Sequence, residues 1–270
     1  MPRFAANLSY LFQDEPFLDR FQAAAQQGFE AVEFQFPYDH SPAAVAAAAR
    51  DSGLPVVLFN APPGNWSEGE RGLASLPDRR QDFRAAMARA FDYATACNCP
   101  RIHVVAGVGK PGMDRRAMRA CYMDNLAWAA EQASAHGLIL LIEPINRRDI
   151  PGFFLSDFDE AEAILTEINA PNLRLQFDFY HAQIIHGDII RRLEKHLPWI
   201  GHIQIANPPG RHEPGVGEIN YDFVFERLDA LGYDGWVGCE YRPSADVEAS
   251  LEWIRRYGVT KRAAKRSVTP

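Results

Sequence analysis

Four stretches of this 270-residue chain deliver an oxygen-bearing side chain at or near the end of an apolar run. Residues 138–146 read Leu-Ile-Leu-Leu-Ile-Glu-Pro-Ile-Asn and carry Glu143. Residues 173–178 end in Asp178, residues 200–207 carry Gln204, and residues 236–240 end in Glu240. An uninterrupted apolar run is the pattern of a strand buried on both faces, as in a parallel sheet. A carboxylate in such a place is costly unless it is paired or bound to a cation. Pro144 has no N–H for a strand ladder, so the first of these strands stops with Glu143 at its carboxyl end. Three carboxylates brought together would repel one another. A divalent cation held by their oxygens removes the repulsion, and an all-oxygen shell suits Mg²⁺ or Mn²⁺ better than zinc, which favours His and Cys. The alternative is that each acid caps a helix or pairs with a neighbouring arginine.

Further candidates lie beside these four. His181, three residues past Asp178, stands where it could hydrogen-bond a substrate oxygen, although a lone histidine is more often structural. Arg211, in the loop after Gln204, could grip a substrate carboxylate with two parallel hydrogen bonds, or be a solvated loop arginine. His103 and Asn60 reach the same place only if the alternation of their strands falls right.

Such a constellation needs elements that converge. The chain alternates strand and helix eight times. Strands are predicted over residues 4–12, 31–36, 56–60 and 101–106, followed by the four just described. Helices are predicted over 17–27, from the Ser41-Pro42 start to Gly53, over 77–96, over 113–135, from a Ser156 cap through 168, and over 184–196. Two more carry Val224, Leu228 and Leu231, and then Val247, Leu251 and Ile254, at core spacing. Strict alternation implies a parallel sheet with right-handed crossovers, and eight units is the number that closes an α/β barrel, the (β/α)8 or TIM barrel. A doubly wound open sheet is the alternative, disfavoured by the absence of a Gly-x-Gly-x-x-Gly turn after the first strand. In the barrel all strand ends meet at one mouth, and Glu143, Asp178, Gln204 and Glu240 fall on one arc of it. Residues 61–76 form a long polar connection, suited to covering a site. One domain over residues 1–258 is expected, followed by a basic tail, 259–270, whose cluster at 261–266 reads as a solvated end.

Hydrophobic residues make up 47% and charged residues 23%, enough for a sizeable soluble core. The net charge of −7 argues against a nucleic acid or an anionic membrane as partner, since both want a basic face. No run approaches a membrane span and the N-terminus lacks a signal-peptide plan, so a cytoplasmic protein acting on a small molecule is expected. The four cysteines are too few and too ill-spaced for a disulfide framework or a zinc site, and Cys239 beside Glu240 carries no sign of activation.

The order Glu, Asp-x-x-His, Gln, Glu on strands five to eight resembles the xylose-isomerase-like barrels. More narrowly, Asn65-Trp66-Ser67-Glu68-Gly69-Glu70-Arg71-Gly72-Leu73, Glu143-Pro144-Ile145-Asn146-Arg147-Arg148-Asp149-Ile150-Pro151-Gly152 and Gly215-Val216-Gly217-Glu218-Ile219-Asn220-Tyr221 resemble the hydroxypyruvate isomerase family, over residues 4 to 258. The resemblance implies that Glu143, Asp178, Gln204 and Glu240 bind the metal, that Glu143 and Glu240 also form the acid/base pair, and that His181 and Arg211 contact a 2-oxo or hydroxy acid substrate. Sugar epimerases of the wider superfamily place a His where Gln204 stands, which favours the hydroxypyruvate isomerase branch. The reaction implied interconverts hydroxypyruvate and tartronate semialdehyde through an enediolate. An isomerase of 2-oxo-tetronate in the same branch is the nearest competitor, and a ketose 3-epimerase stands further off. A homodimer or tetramer is also implied, with Trp66 lining a lid or a subunit interface.

Overall fold

A computed structural model describes residues 1–261, and in it eight parallel strands close into a barrel in sequence order. They are β1 (Arg3–Asn7), β2 (Ala31–Phe34), β3 (Val56–Asn60), β4 (Arg101–His103), β5 (Ile139–Ile142), β6 (Leu173–Asp178), β7 (Ile200–Ile205) and β8 (Trp236–Cys239). β1 closes on β8 from Arg3↔Trp236 to Ala6↔Cys239. The helices are α1 (Arg20–Gln26), α2 (Pro42–Ser52), α3 (Arg80–Cys97), α4 (Arg115–Ala135), α5 (Phe158–Ile168), α6 (Phe179–Ile185), α7 (Ile189–His196), α8 (Tyr221–Ala230) and α9 (Glu252–Arg255). This is the (β/α)8 barrel expected from the alternation. Apolar side chains of strands and helices form one large core and a small second cluster of Ala5, Ala31 and Val57, and in the large core Phe4 of β1 meets Phe225 of α8 and Trp253 of α9 edge-on at 5.3 Å each. The basic cluster at residues 261–266 lies, beyond Lys261, outside the described residues. Among the described residues no helix is long and apolar enough to cross a membrane.

Local chemistry moved several predicted boundaries. β1 ends at Asn7 rather than running to residue 12, because the Asn7 side chain accepts from Ser9 N–H and its carbonyl accepts from Tyr10 and Leu11 N–H, which turns the chain. The cap of α5 is Asp157, one residue past Ser156: its backbone is extended and its carboxylate accepts from Glu160 N–H. Asp114 caps α4 in the same way. The helix predicted over 184–196 is two helices, divided at Gly187 and Asp188, both with positive φ.

The connection after β3 is closed at its base. Gly72 N–H donates to Pro63 O at 2.8 Å, and Gly72 bridges Ala106 beyond β4. Gly72 has φ +111°, and a Cβ there would lie 2.2 Å from Val105 O, so only glycine fits. Between these ends Trp66–Glu68 forms a single 3₁₀ turn.

A carboxylate also stands inside the barrel. Glu33 of β2 is fully buried and contacts His202 and Gln204 of β7, a strand that is not its neighbour, so these contacts cross the lumen. Room for it comes from Gly238 of β8, where a Cβ would lie 2.2 Å from one carboxylate oxygen and 2.3 Å from the other. Gly238→Ala is therefore expected to overpack the lumen and to destabilise by about 1–3 kcal/mol, read as a lower urea midpoint. An unchanged midpoint would show that Glu33 is not held against that strand.

Candidate active site

Glu143 follows β5 directly, Asp178 closes β6 and caps α6 by accepting from Tyr180 N–H, Gln204 lies within β7, and Glu240 follows β8. All four are at least 95% buried near the carboxyl ends of their strands. His181 is in the first turn of α6, and Arg211 in the loop after β7. Glu143, Glu240, His181 and Arg211 line one cavity of about 510 Å³, together with His103 and Asn60, whose strands do turn them to the mouth.

Arg211 sits at the tip of a tight hairpin closed by paired Asn207 and His212. Its φ of +59° is unusual for a side chain with a Cβ, and costs that are typically about 1–3 kcal/mol persist mainly where the surroundings hold a residue in place. They do so here. Its Nη2 donates to Glu240 Oε2 and lies 3.6 Å from Asp178 Oδ2, and its guanidinium lies 4.9 Å from the Tyr10 ring and 4.7 Å from the Tyr180 ring. Burial works against its charge, but Tyr10, Glu240, Asp178 and Glu143 more than compensate and leave its pKa raised. Arg211 thus lines the cavity with its Nη2 engaged by Glu240.

The acids are strongly perturbed. Burial pushes Glu240 up to about 7 and Asp178 to about 6, against the lowering effect of Arg211. Burial, reinforced by Glu240 and Asp178, pushes Glu143 well above the carboxylate range. Glu240 Oε1 accepts from the amides of Asn7 and Gln35 at 3.3 Å each. By contrast Glu143 Oε1 and Asp178 Oδ2 have no hydrogen-bond partner. Two buried carboxylate oxygens left bare are what a cation would satisfy. Among the described residues, Glu143 and Asp178 are near enough to share one, and a His181 ring nitrogen lies within 4.8 Å of their oxygens.

The role of His181 follows from its neighbour. Asn146 Oδ1 accepts from Asp149 N–H at 2.9 Å, which turns the Asn146 amide nitrogen to His181 Nδ1 at 2.7 Å. Nδ1 is therefore an acceptor, and the proton of the neutral ring is on Nε2. Burial lowers the His181 pKa well below its ordinary value, so the ring is neutral. Nε2–H faces Asp178 at 3.6 Å and Glu143 at 4.0 Å, a donor aimed into the mouth. His103 is neutral too, pushed down to about 3 by burial.

Gln204 is placed differently from a simple mouth ligand. Its Nε2 donates to Glu33 at 2.8 Å and its Oε1 accepts from Gln176 at 2.6 Å, which leaves that oxygen one further lone pair. Glu33 also accepts from Asn7 at 2.9 Å and pairs with His202 at 2.6 Å. Sequence reasoning passed over this buried layer. The signal was present, since Glu33 interrupts an apolar strand just as Glu143 does, and His202 stands two residues before Gln204 on the same face. The cysteines are inert: all four are free, and burial pushes Cys99 up to about 12 and Cys97 to about 11.

Comparison with known proteins bears on this geometry. Residues 21–257 match the family described as the xylose isomerase-like TIM barrel. The chain is 54% identical to the 2-oxo-tetronate isomerase of Cupriavidus necator over 95% of its length and 99% of that protein. It is 42% identical to the hydroxypyruvate isomerase of Escherichia coli over 95% of its length and all of that protein. A Brucella melitensis crystal structure named as an AP endonuclease of family 2 superposes with a TM-score of 0.93 at 45% identity, over 95% of this chain and 99% of that one. The motifs, the closed barrel and these matches agree: the chain belongs to the xylose isomerase-like TIM barrel family, among relatives named 2-oxo-tetronate isomerase and hydroxypyruvate isomerase.

Proposed function

We propose that this protein is a cation-assisted isomerase that moves a carbonyl between C2 and C3 of a short 2-oxo-3-hydroxy acid. The observation that carries the reading is a pair of buried glutamates of raised pKa, Glu143 and Glu240, facing one cavity from the ends of β5 and β8. The four-carbon 2-oxo-tetronate is the favoured substrate, because the relative of that name from Cupriavidus necator is 54% identical to this chain, whereas relatives with hydroxypyruvate isomerase in their names are 45% and 42% identical. Hydroxypyruvate, the three-carbon substrate placed first on sequence motifs, is the second reading; the two acids differ by a hydroxymethyl group on C3. A nucleic acid substrate is disfavoured by the net charge of −7.

In this mechanism one glutamate removes the proton from C3 beside the carbonyl, giving an enediolate, the C3 hydroxyl proton passes to the C2 oxygen, and the other glutamate returns a proton at C2, leaving the carbonyl at C3. A carboxyl group titrating near 7, as Glu240 does, can both accept and donate at neutral pH. His181 Nε2–H donates to a substrate oxygen on which charge develops. Arg211 holds the Glu240 carboxylate in place while its own charge offsets that of the acids. Asn7 and Gln35 orient the other Glu240 oxygen. Glu143 and Asp178, through their bare oxygens, would hold Mg²⁺ or Mn²⁺, joined by Glu240 and the remaining lone pair of Gln204 as the family motif implies. The bound cation would supply Lewis-acid stabilisation of negative charge on adjacent substrate oxygens.

Glu143→Gln and Glu240→Gln should each lower kcat by about 10²- to 10⁴-fold, the usual worth of a general acid or base. In deuterated water the wild-type product should carry solvent deuterium at the accepting carbon, read by proton NMR. Near-normal turnover by both variants would remove the acid/base assignment.

A second expectation concerns pH. Because the folded state raises the pKa values of Asp178 and Glu240, it binds protons more tightly than the unfolded chain does. Stability of the metal-stripped protein should therefore fall as pH rises through the window from the ordinary carboxylate values, about 4, to about 7. Added Mn²⁺ should raise Tm more at about pH 8 than at about pH 5, since only the ionised carboxylates bind it. Equal shifts at both pH values, measured by differential scanning calorimetry, would argue against a carboxylate-held cation.

A further inference from the structure

With its C2 and C3 oxygens over the acids, a short acid directs its carboxylate to the cavity wall, where it needs a cationic partner of its own. Four arginines face the cavity. Arg211 is bound to Glu240 and lies near Asp178. Arg148 lies 3.6 Å from Asp149 and donates to the Tyr180 hydroxyl and Pro209 O. Arg242 is exposed at the rim.

Arg71 differs from all three. It is half-buried, and no acid lies within ion-pair distance of it among the described residues. Its Nη1 donates to Trp66 O at 2.9 Å and Glu70 O at 2.8 Å, and its guanidinium carbon lies over the Trp66 indole, 3.7 Å from the ring centroid. Trp66 in turn packs against Phe36 at 5.2 Å. The guanidinium is therefore held by two backbone carbonyls and the indole it lies over, with Nε and Nη2 free of any partner among the described residues. A fork held in this way loses little freedom on meeting a carboxylate.

Its position agrees with the chemistry. Arg71 lies in the connection after β3, across the mouth from the arc of β6 to β8 that carries Asp178, Gln204 and Glu240. A short acid whose C2 and C3 lie over the acids can extend its carboxylate toward β3, away from their charge.

We infer that Arg71, held against Trp66, is the anchor for the substrate carboxylate and so restricts this barrel to acids rather than uncharged sugars. The inference rests on the proposed reading of the substrate as a short 2-oxo acid.

The test measures kcat and KM of the metal-loaded wild type, Arg71→Met, Arg71→Lys and Arg242→Met on 2-oxo-tetronate and hydroxypyruvate. Calorimetric binding of D-glycerate, an unreactive acid, and of uncharged glycerol is measured alongside. Arg71→Met should raise KM, and weaken glycerate binding, by about ten- to a hundredfold, the worth of a charge-assisted hydrogen-bonded pair. Lysine should restore part of the loss through its charge without the fork, glycerol should bind no variant better than another, and Arg242→Met should stay within about twofold, as suits an exposed rim charge. Unchanged KM and glycerate affinity in Arg71→Met, or the same loss in Arg242→Met, would overturn the anchor while leaving the isomerase intact. Arg71-dependent glycerate binding by a protein that turns over neither acid would retain the anchor and remove the isomerase reading. A wild type that neither binds glycerate nor turns over either acid would remove both.

Discussion

Three carboxylates buried around one guanidinium are the constraint on which the rest of this barrel depends. Glu143, Asp178 and Glu240 are each at least 95% buried, and Arg211 alone reaches into their midst. One positive charge cannot satisfy three negative ones at low dielectric, so the acids shift toward protonation and two of their oxygens stay without partners. The same imbalance that makes the site costly to fold leaves bare carboxylate oxygens that a cation could satisfy. The strained backbone of Arg211 belongs to this balance, since the hairpin holds the guanidinium where the acids need it.

The orientation of the site is set from below and from the side by groups that never reach the cavity floor. Glu33 in the lumen accepts only hydrogens, so it fixes which end of the Gln204 amide faces it and turns the Gln204 oxygen the other way. Asp149 N–H does the same for Asn146, and through Asn146 decides which nitrogen of His181 carries the proton. In both cases a group with one possible role imposes a role on a side chain that has two.

Much of this was legible in the sequence because the relevant physics is local. Apolar runs ending in Glu143, Asp178 and Glu240 identify strand ends, and closure of eight strand–helix units brings those ends together whatever the loops do. Less legible were features that depend on which side chains meet across the barrel. The guanidinium of Arg211 reads as a ligand-binding group in sequence, but the hairpin folds it onto the acids. Gln204 reads as a mouth residue, but half of its amide belongs to Glu33. The inward partners Asn7, Gln176 and His202 are ordinary residues in one dimension and become a network only when β2 and β7 face each other across the lumen. Helix limits moved for smaller reasons, such as Gly187 and Asp188 taking positive φ between α6 and α7.

The connection after β3 leaves and returns to the barrel at nearly one point, because Gly72 N–H meets Pro63 O and no side chain separates Gly72 from the chain beyond β4. The residues between are thus a cassette whose ends are pinned independently of its contents. Its sequence can change, and with it the wall it presents to a ligand, without moving a strand or disturbing the carboxylates opposite. A barrel built this way keeps the strand-end carboxylates and the wall opposite them on separate parts of the chain, so that about ten residues of a pinned surface loop can be rewritten while the carboxylates stay where they are.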